Sequence, residues 1–276
     1  MYIFHRIRHL VRGIRHHALP IKTPTMERPV CNICGFRLIA PIEVLSEREM
    51  RSCAACGSTL RFRATVAALQ SELDGDGQVR VLAQIPRRKS LRGIGMSDSG
   101  VYAHVLRQKF NYLNSFFHTR PMLDIRAPAQ HYLGQFDFIV SSDVLEHVDG
   151  PTGRALSNLR ALLKPGGLLV LTVPYGFHEK TIEHYPELHD YRIEGDGSHR
   201  VLVNVTEDGR EQRFNNLCFH GGDGSTLELR IYSYSDLVRQ LGEVGFKDIR
   251  LHGADYPEWG IIHRHQLGLP ITARAA

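Results

Sequence analysis

"FDFIVSSDVLEHV" (Phe136 to Val148), followed shortly by "ALSNLRALLKPGGLLVLTVPY" (Ala155 to Tyr175), is the stretch on which the fold turns. Phe136, Phe138, Ile139 and Val140 lie in one apolar run of strand length. Such a run, without polar alternation, reads as a strand covered on both faces. "ALSNLRALLKPGG" reads as a helix with a proline-glycine stop at Pro165 to Gly167. "LLVLTVPY" is the most apolar strand in the chain. Strand, helix and strand in succession are the unit of a parallel sheet.

The alternation continues on both sides. "VRVLAQI" (Val79 to Ile85) reads as a strand or edge segment, and "SLRGIGM" (Ser90 to Met96) as a strand running into a glycine turn. "VYAHVLRQKF" reads as a helix, "NYLNSFF" as a strand and "PMLDI" (Pro121 to Ile125) as a short one. "SYSDLVRQLGEVGF" reads as a helix begun by Ser233 or Ser235, and "KDIRLHG" as a final strand. Ligands of such sheets bind beyond the carboxyl ends of the strands. That rule points to the Gly93–Gly95 turn, Asp124, the Ser142–Asp143 segment and the exit at Pro174–Tyr175.

The whole chain, 276 residues with 42% hydrophobic and 23% charged, suits one α/β domain plus a small module. No apolar run approaches the roughly 20 residues that span a bilayer. Arginines interrupt the N-terminal apolar residues, so no secretory signal is read and a cytoplasmic location is expected. The charge of +5 is localised: Arg6, Arg8, Arg12, Arg15 and Lys22 precede the first acid, Glu27, leaving 29 bases against 29 acids beyond. Ile3, Ile7, Leu10, Val11, Ile14 and Ala18 of residues 1–26 recur at helical spacing, with arginines and histidines between them. A basic amphipathic helix of that kind suits anionic lipid or an acidic partner, through residues 1–19, or packs on its own protein. Met26 is an alternative start that would omit it.

Cys31 and Cys34 form "CNIC", and Cys53 and Cys56 form "CAAC", with eighteen residues between the pairs. Two C-x-x-C knuckles at that separation match a structural zinc site, because two intervening residues let both sulfurs face one tetrahedral ion. Thiolate ligands favour zinc or iron over a hard cation. Disulfides and a redox pair are the alternatives, but nothing in the sequence points to export. Four cysteines leave no open coordination position, so the metal is structural. The ribbon is expected over residues 27–60, with a connecting helix and linker over 61–78.

The quoted stretch resembles the class I S-adenosylmethionine-dependent methyltransferases, through F-D-x-I/V, L-E-H-V and L-K-P-G-G-x-L at these spacings. "LGEVGFKDIRL" looks like the closing helix-turn-strand of the same family, and the resemblance spans about Leu91 to Leu251. It implies an α/β, Rossmann-like sheet with helices on both faces over residues 79–255, with an insertion at about 176–230 and a C-terminal tail over 256–276. A zinc ribbon precedes such a domain in one branch of the family. The block from "GIGMSDSGVYAHVL" to "FDFIVSSDVLEHV" looks like methyltransferases encoded with sugar and polysaccharide biosynthesis enzymes.

The resemblance also implies roles. Gly93 and Gly95 would pass under the methionine part of S-adenosylmethionine, Asp124 and Ile125 would meet its adenine, and Ser142 and Asp143 would line the pocket. The acid that holds the ribose hydroxyls should fall near Ser115, where only Asn114 and Ser115 stand; Asp98 is a substitute, or neutral groups serve. A hydroxyl acceptor gains from a base that titrates near neutrality. His184 is the first candidate, His220 the second and His147 a third, the last with a capping role as its alternative. His189, Glu183, Asp190 and Asp223 stand near them, so a divalent metal orienting the acceptor is a further option. The polar segment from Tyr191 to Phe214 reads as a hairpin turning at "EDGR". Methylation of a hydroxyl on a sugar or glycan-type acceptor is the leading expectation. An RNA methyltransferase using the ribbon to bind RNA is the second, which the neutral body opposes. A non-catalytic binding protein on a degenerate methyltransferase fold is the third.

Overall fold

The computed structural model describes residues 28–220 and 226–276. The leader helix expected over residues 1–26, Asp223 and the side chain of His220 lie outside what is described. Six strands form the central sheet: β1 (Arg88–Met96), β2 (Phe110–Ser115), β3 (Phe136–Ser142), β4 (Leu163–Thr172), β5 (Phe246–Leu251) and β6 (Ile271–Ala275). Their order is β5-β6-β4-β3-β1-β2, and only β6 runs antiparallel to its neighbours. This is the mixed, Rossmann-like α/β sheet expected.

Helices cover both faces. α1 (Leu60–Leu73) is capped by Thr59, whose hydroxyl accepts from Phe62 N, and α2 (Gly100–Lys109) by Ser99, which accepts from Val101 N. These caps satisfy donors that a helix start leaves open. α3 (Thr152–Leu162) and α4 (Tyr234–Glu243) follow, the latter capped by Ser233. The unalternated run in β3 now has its explanation. Ile139 joins Leu156, Leu159, Leu237 and Leu241 under α3 and α4, while Phe138 and Val140 join Leu69 of α1 and Leu106 of α2.

The segment expected to form the ribbon, here called the ribbon, does not stand apart from that second face. Cys31, Ile33, Leu38 and Cys53 belong to the same apolar core as Phe110, Phe138, Leu168 and Val170. Val30 N donates to Glu258 O, and Arg63 of α1, fully buried, donates to Gly260 O.

Several elements differ from expectation. The segment over 256–276 is no tail: it carries β6, which inserts between β5 and β4 and pairs Ile271 with Leu171. Its "ITARA" is too short to read as a core strand without its partners. "PMLDI" yields one bridge, Phe116 to Met122, with Leu123 and Ile125 still buried in the core. "VRVLAQI" gives only a 3-10 turn at Leu82–Gln84. The helix expected to run to Pro165 ends at Leu162, and "LKPGG" opens β4 with Leu163 opposite Phe136.

The insertion folds as small sheets over the carboxyl ends of β3 and β4. Tyr175–Gly176 pairs parallel to Arg230–Ser233, which pairs antiparallel to Ile182–Glu183. Asp190–Glu194, Val201–Val205 and Glu211–Phe214 form an antiparallel three-stranded sheet, with the expected turn between the last two. Tyr185, Leu202 and Leu229 form its own core. No helix among the described residues is long and apolar enough to cross a membrane.

Candidate active site

Gly93 and Gly95, expected in a turn that follows the strand, lie within β1 itself. In β1, Gly93 lies between Tyr112 of β2 and Phe138 of β3. A Cβ on Gly93 would come within 2.2 Å of the Phe138 ring, and one on Gly95 within 1.8 Å of the Asp98 carboxylate. Both positions therefore need glycine because buried side chains press on the backbone. Asp98 turns inward: Tyr102 Oη donates to its Oδ1 at 2.7 Å, and Tyr112 Oη donates to its Oδ2. Burial pushes the Asp98 carboxyl up to about 7, against the pull of these two hydroxyls. Asn114 holds the Asp98 backbone from both sides, accepting from its N–H at 3.0 Å and donating to its C=O at 2.9 Å. Ser115 is fully buried and donates to Gly95 O at 2.7 Å. Asp98 and Ser115 thus tie β1 to β2 and α2.

A second polar group closes over the ends of β3 and β4. Asp143, in the left-handed region at φ 53°, has a side chain only 4% exposed. Arg48 grips it with two bonds of 2.8 Å, Thr172 Oγ1 donates to it at 2.8 Å, and Arg61 Nε lies at 3.3 Å. Arg61 also donates to Ser142 Oγ at 2.7 Å and forms a two-bond pair with Glu49. Burial would raise the Asp143 carboxyl, but the two guanidiniums outweigh it and hold the group well below the usual carboxylate range. Arg48 and Arg61 come from the ribbon and α1, and pattern reading passed over both. An ion pair spanning 95 residues leaves no local signal.

At the far side of β3, Asp124 accepts from the Arg126 backbone N–H at 2.9 Å and from its guanidinium, which also grips Asp149. The Arg126 hydrogen bond lowers the Asp124 pKa. Ile125 is buried, and its carbonyl accepts from Asn158 at 2.8 Å.

The candidate histidines separate. His147 Nδ1 lies 2.8 Å from Leu227 O, which joins the segment after β3 to the insertion. His184 Nε2 lies 3.2 Å from Glu228 Oε1, and Cys218 Sγ lies 3.8 Å from the same oxygen. Hydrogen bonds to Cys218 and Glu228 push the His184 pKa up to about 9, despite burial. Leu229 N donates to Glu146 O, and Arg230 donates to Val148 O and Gly150 O, so this group abuts the end of β3. Glu228 and Cys218 carry no local signal for this role in the sequence.

The four ribbon cysteines form one cluster, with Cys31–Cys56 at 3.8 Å, Cys34–Cys53 at 3.7 Å and all four sulfurs within 4.8 Å of one another. A tetrahedron with metal–sulfur bonds of about 2.3 Å has edges of about 3.8 Å. All four are free of disulfides, and Gly35 and Gly57 take the left-handed conformation at φ 83° and 71° that closes each knuckle.

The family model described as "Methyltransferase domain" matches residues 84–251. No curated protein matches the sequence. The CurJ carbon methyltransferase structure is 14% identical, with a TM-score of 0.46, over 79% of this chain and 56% of that one. The citrinin polyketide synthase CMeT domain is matched over 49% of its length, so this chain spans about half of each of these two proteins. An amino pentose methyltransferase from Micromonospora echinaspora, involved in calicheamicin biosynthesis, is 14% identical with a TM-score of 0.43, over 80% of this chain and 93% of that one. With the family model covering the sheet from before β1 to the end of β5, the chain belongs to the methyltransferase-domain family.

Proposed function

We propose that this protein transfers a methyl group from S-adenosylmethionine to a hydroxyl of a sugar or glycan-type acceptor. The observation that carries the reading is the insertion. It builds a polar wall of Glu183, His184, Glu228 and Arg230 against the segment that leaves β3. A wall so rich in hydrogen-bonding groups suits a hydroxylated acceptor better than an apolar one.

The cofactor supplies an activated methyl, so the protein's work is alignment and exclusion of water. Groups gathered around the ends of β1 and β3 would serve such a cofactor. Arg48 and Arg61 would take its carboxylate, Asp124 the amino group of its adenine, and Asn114 would serve the ribose hydroxyls in place of an acid. The Cys31, Cys34, Cys53 and Cys56 cluster would hold zinc, fastening the ribbon that delivers Arg48.

Calorimetric titration of the full, zinc-replete chain with S-adenosylmethionine and S-adenosylhomocysteine tests this reading. Micromolar binding is expected, weakened about tenfold by Asp124→Asn, the scale of one hydrogen bond to a charged group. A screen of nucleotide sugars and glycans would then identify the acceptor. Absence of cofactor binding by folded protein would overturn the assignment.

A further inference from the structure

The group formed by His184, Cys218 and Glu228 has more structure than a histidine–carboxylate pair requires. One ligand-capable atom from each, a nitrogen, a sulfur and an oxygen, lies within 4.8 Å of the other two. For a tetrahedral ion with bonds near 2.1 Å to nitrogen and oxygen and 2.3 Å to sulfur, the N–O edge is about 3.4 Å and the S–O edge about 3.6 Å. The observed separations are 3.2 Å for His184 Nε2 to Glu228 Oε1 and 3.8 Å for Cys218 Sγ to the same oxygen. The three side chains therefore already stand near the corners of one coordination sphere.

Their backbones are fixed as well. His184 N donates to Leu229 O at 2.8 Å, Glu228 N donates to Cys218 O at 2.8 Å, and Cys218 N donates to Tyr185 Oη at 2.7 Å. Each ligand is thus pinned through a bond to another ligand's residue or its neighbour, the preorganisation a metal site needs. The side chains of His184 and Glu228 are only 17% and 11% exposed. The donor set is also informative: thiolate with imidazole and carboxylate selects a borderline ion such as zinc over magnesium or calcium. Three protein ligands leave one tetrahedral position, the arrangement of catalytic rather than structural zinc.

We propose that His184, Cys218 and Glu228 form a second metal site, distinct from the ribbon cysteines, for a zinc-like divalent cation. Its remaining position takes a hydroxyl oxygen of the acceptor. The second statement rests on the methyl-transfer reading above; the first does not. The site lies beside Glu146 at the end of β3, where it would set the distance and angle of an acceptor oxygen toward the methyl group.

The test counts metal. Full-length protein is prepared with zinc in excess, dialysed against a weak chelator, and its zinc measured by mass spectrometry alongside Cys218→Ala and Glu228→Gln. One equivalent of zinc lost in each variant relative to wild type, with the thermal transition retained, is the expected result. Equal zinc in wild type and in both folded variants would overturn the site. A Cys31→Ser variant serves as the contrast, since it should lose the ribbon metal and keep the other. Cofactor titration on the same preparations separates the two readings. Loss of zinc in the variants without cofactor binding upholds the metal site and sinks the methyltransferase reading. Cofactor binding with unchanged zinc does the reverse.

Discussion

Replacing Asp143 by asparagine probes the joint between ribbon and sheet. Asparagine tolerates the left-handed backbone at φ 53°, so the change removes charge without adding much strain. Arg48 and Arg61, with side chains 29% and 14% exposed, would keep only Glu49, itself 48% exposed, as counter-charge. Removing one partner of a buried pair costs about 3–5 kcal/mol, because the other charge stays buried. The partial exposure of Arg48 and the retained Glu49 place this case at the lower end, about 3 kcal/mol. For a chain of this size that is a fall of about 6 °C in Tm. The assay is urea unfolding of wild type, Asp143→Asn, Arg48→Met and the double variant. A coupling energy above about 1.5 kcal/mol is expected, and additivity within about 0.5 kcal/mol would refute the reasoning. Asp124→Asn is the control: its partner Arg126 is 37% exposed, and the change should cost less than about 1 kcal/mol.

Asp98 gives a pH test. Its folded pKa, raised to about 7, means the native protein keeps a proton that the unfolded chain releases above about pH 4. Its contribution to stability is therefore full below pH 4 and falls by a few kcal/mol as pH rises to about 7, then levels. The stability of wild type minus that of Asp98→Asn should drop between pH 5 and pH 8, and a constant difference would sink the assignment. Removing metal with a strong chelator should lower Tm for the whole chain in one transition, because Cys31 and Cys53 share a core with Phe110 and Phe138. Separate melting of the ribbon, followed by near-UV circular dichroism, would contradict that.

The sheet was legible because its decisive strands carry their own signals. The apolar run of Phe136 to Val140 and the helix-to-strand passage through Lys164 to Gly167 need no distant partner to be read. The cysteine spacing was equally self-contained. What escaped was written in pairs far apart along the chain. β6 reads as a strand only beside β4, Arg48 matters only opposite Asp143, and Cys218 meets His184 only after the insertion folds back. Gly93 and Gly95 read as a turn, but they lie in β1, where Phe138 and Asp98 leave no room for a side chain, a cause the G-x-G spacing does not encode.

The shared core under the ribbon bears on how such a protein can be cut and recombined. A chain starting at residue 79 would keep the whole region matched by the family model and yet bare Phe138, Val140, Leu168 and Val170, which Cys31, Ile33 and Leu69 cover in the intact protein. It would also lose Arg48 and Arg61, which hold Asp143 and Ser142 at the end of β3. The N-terminal ribbon is therefore no detachable accessory. Shuffling it against another catalytic half would succeed only where the sheet face and the ribbon were exchanged together.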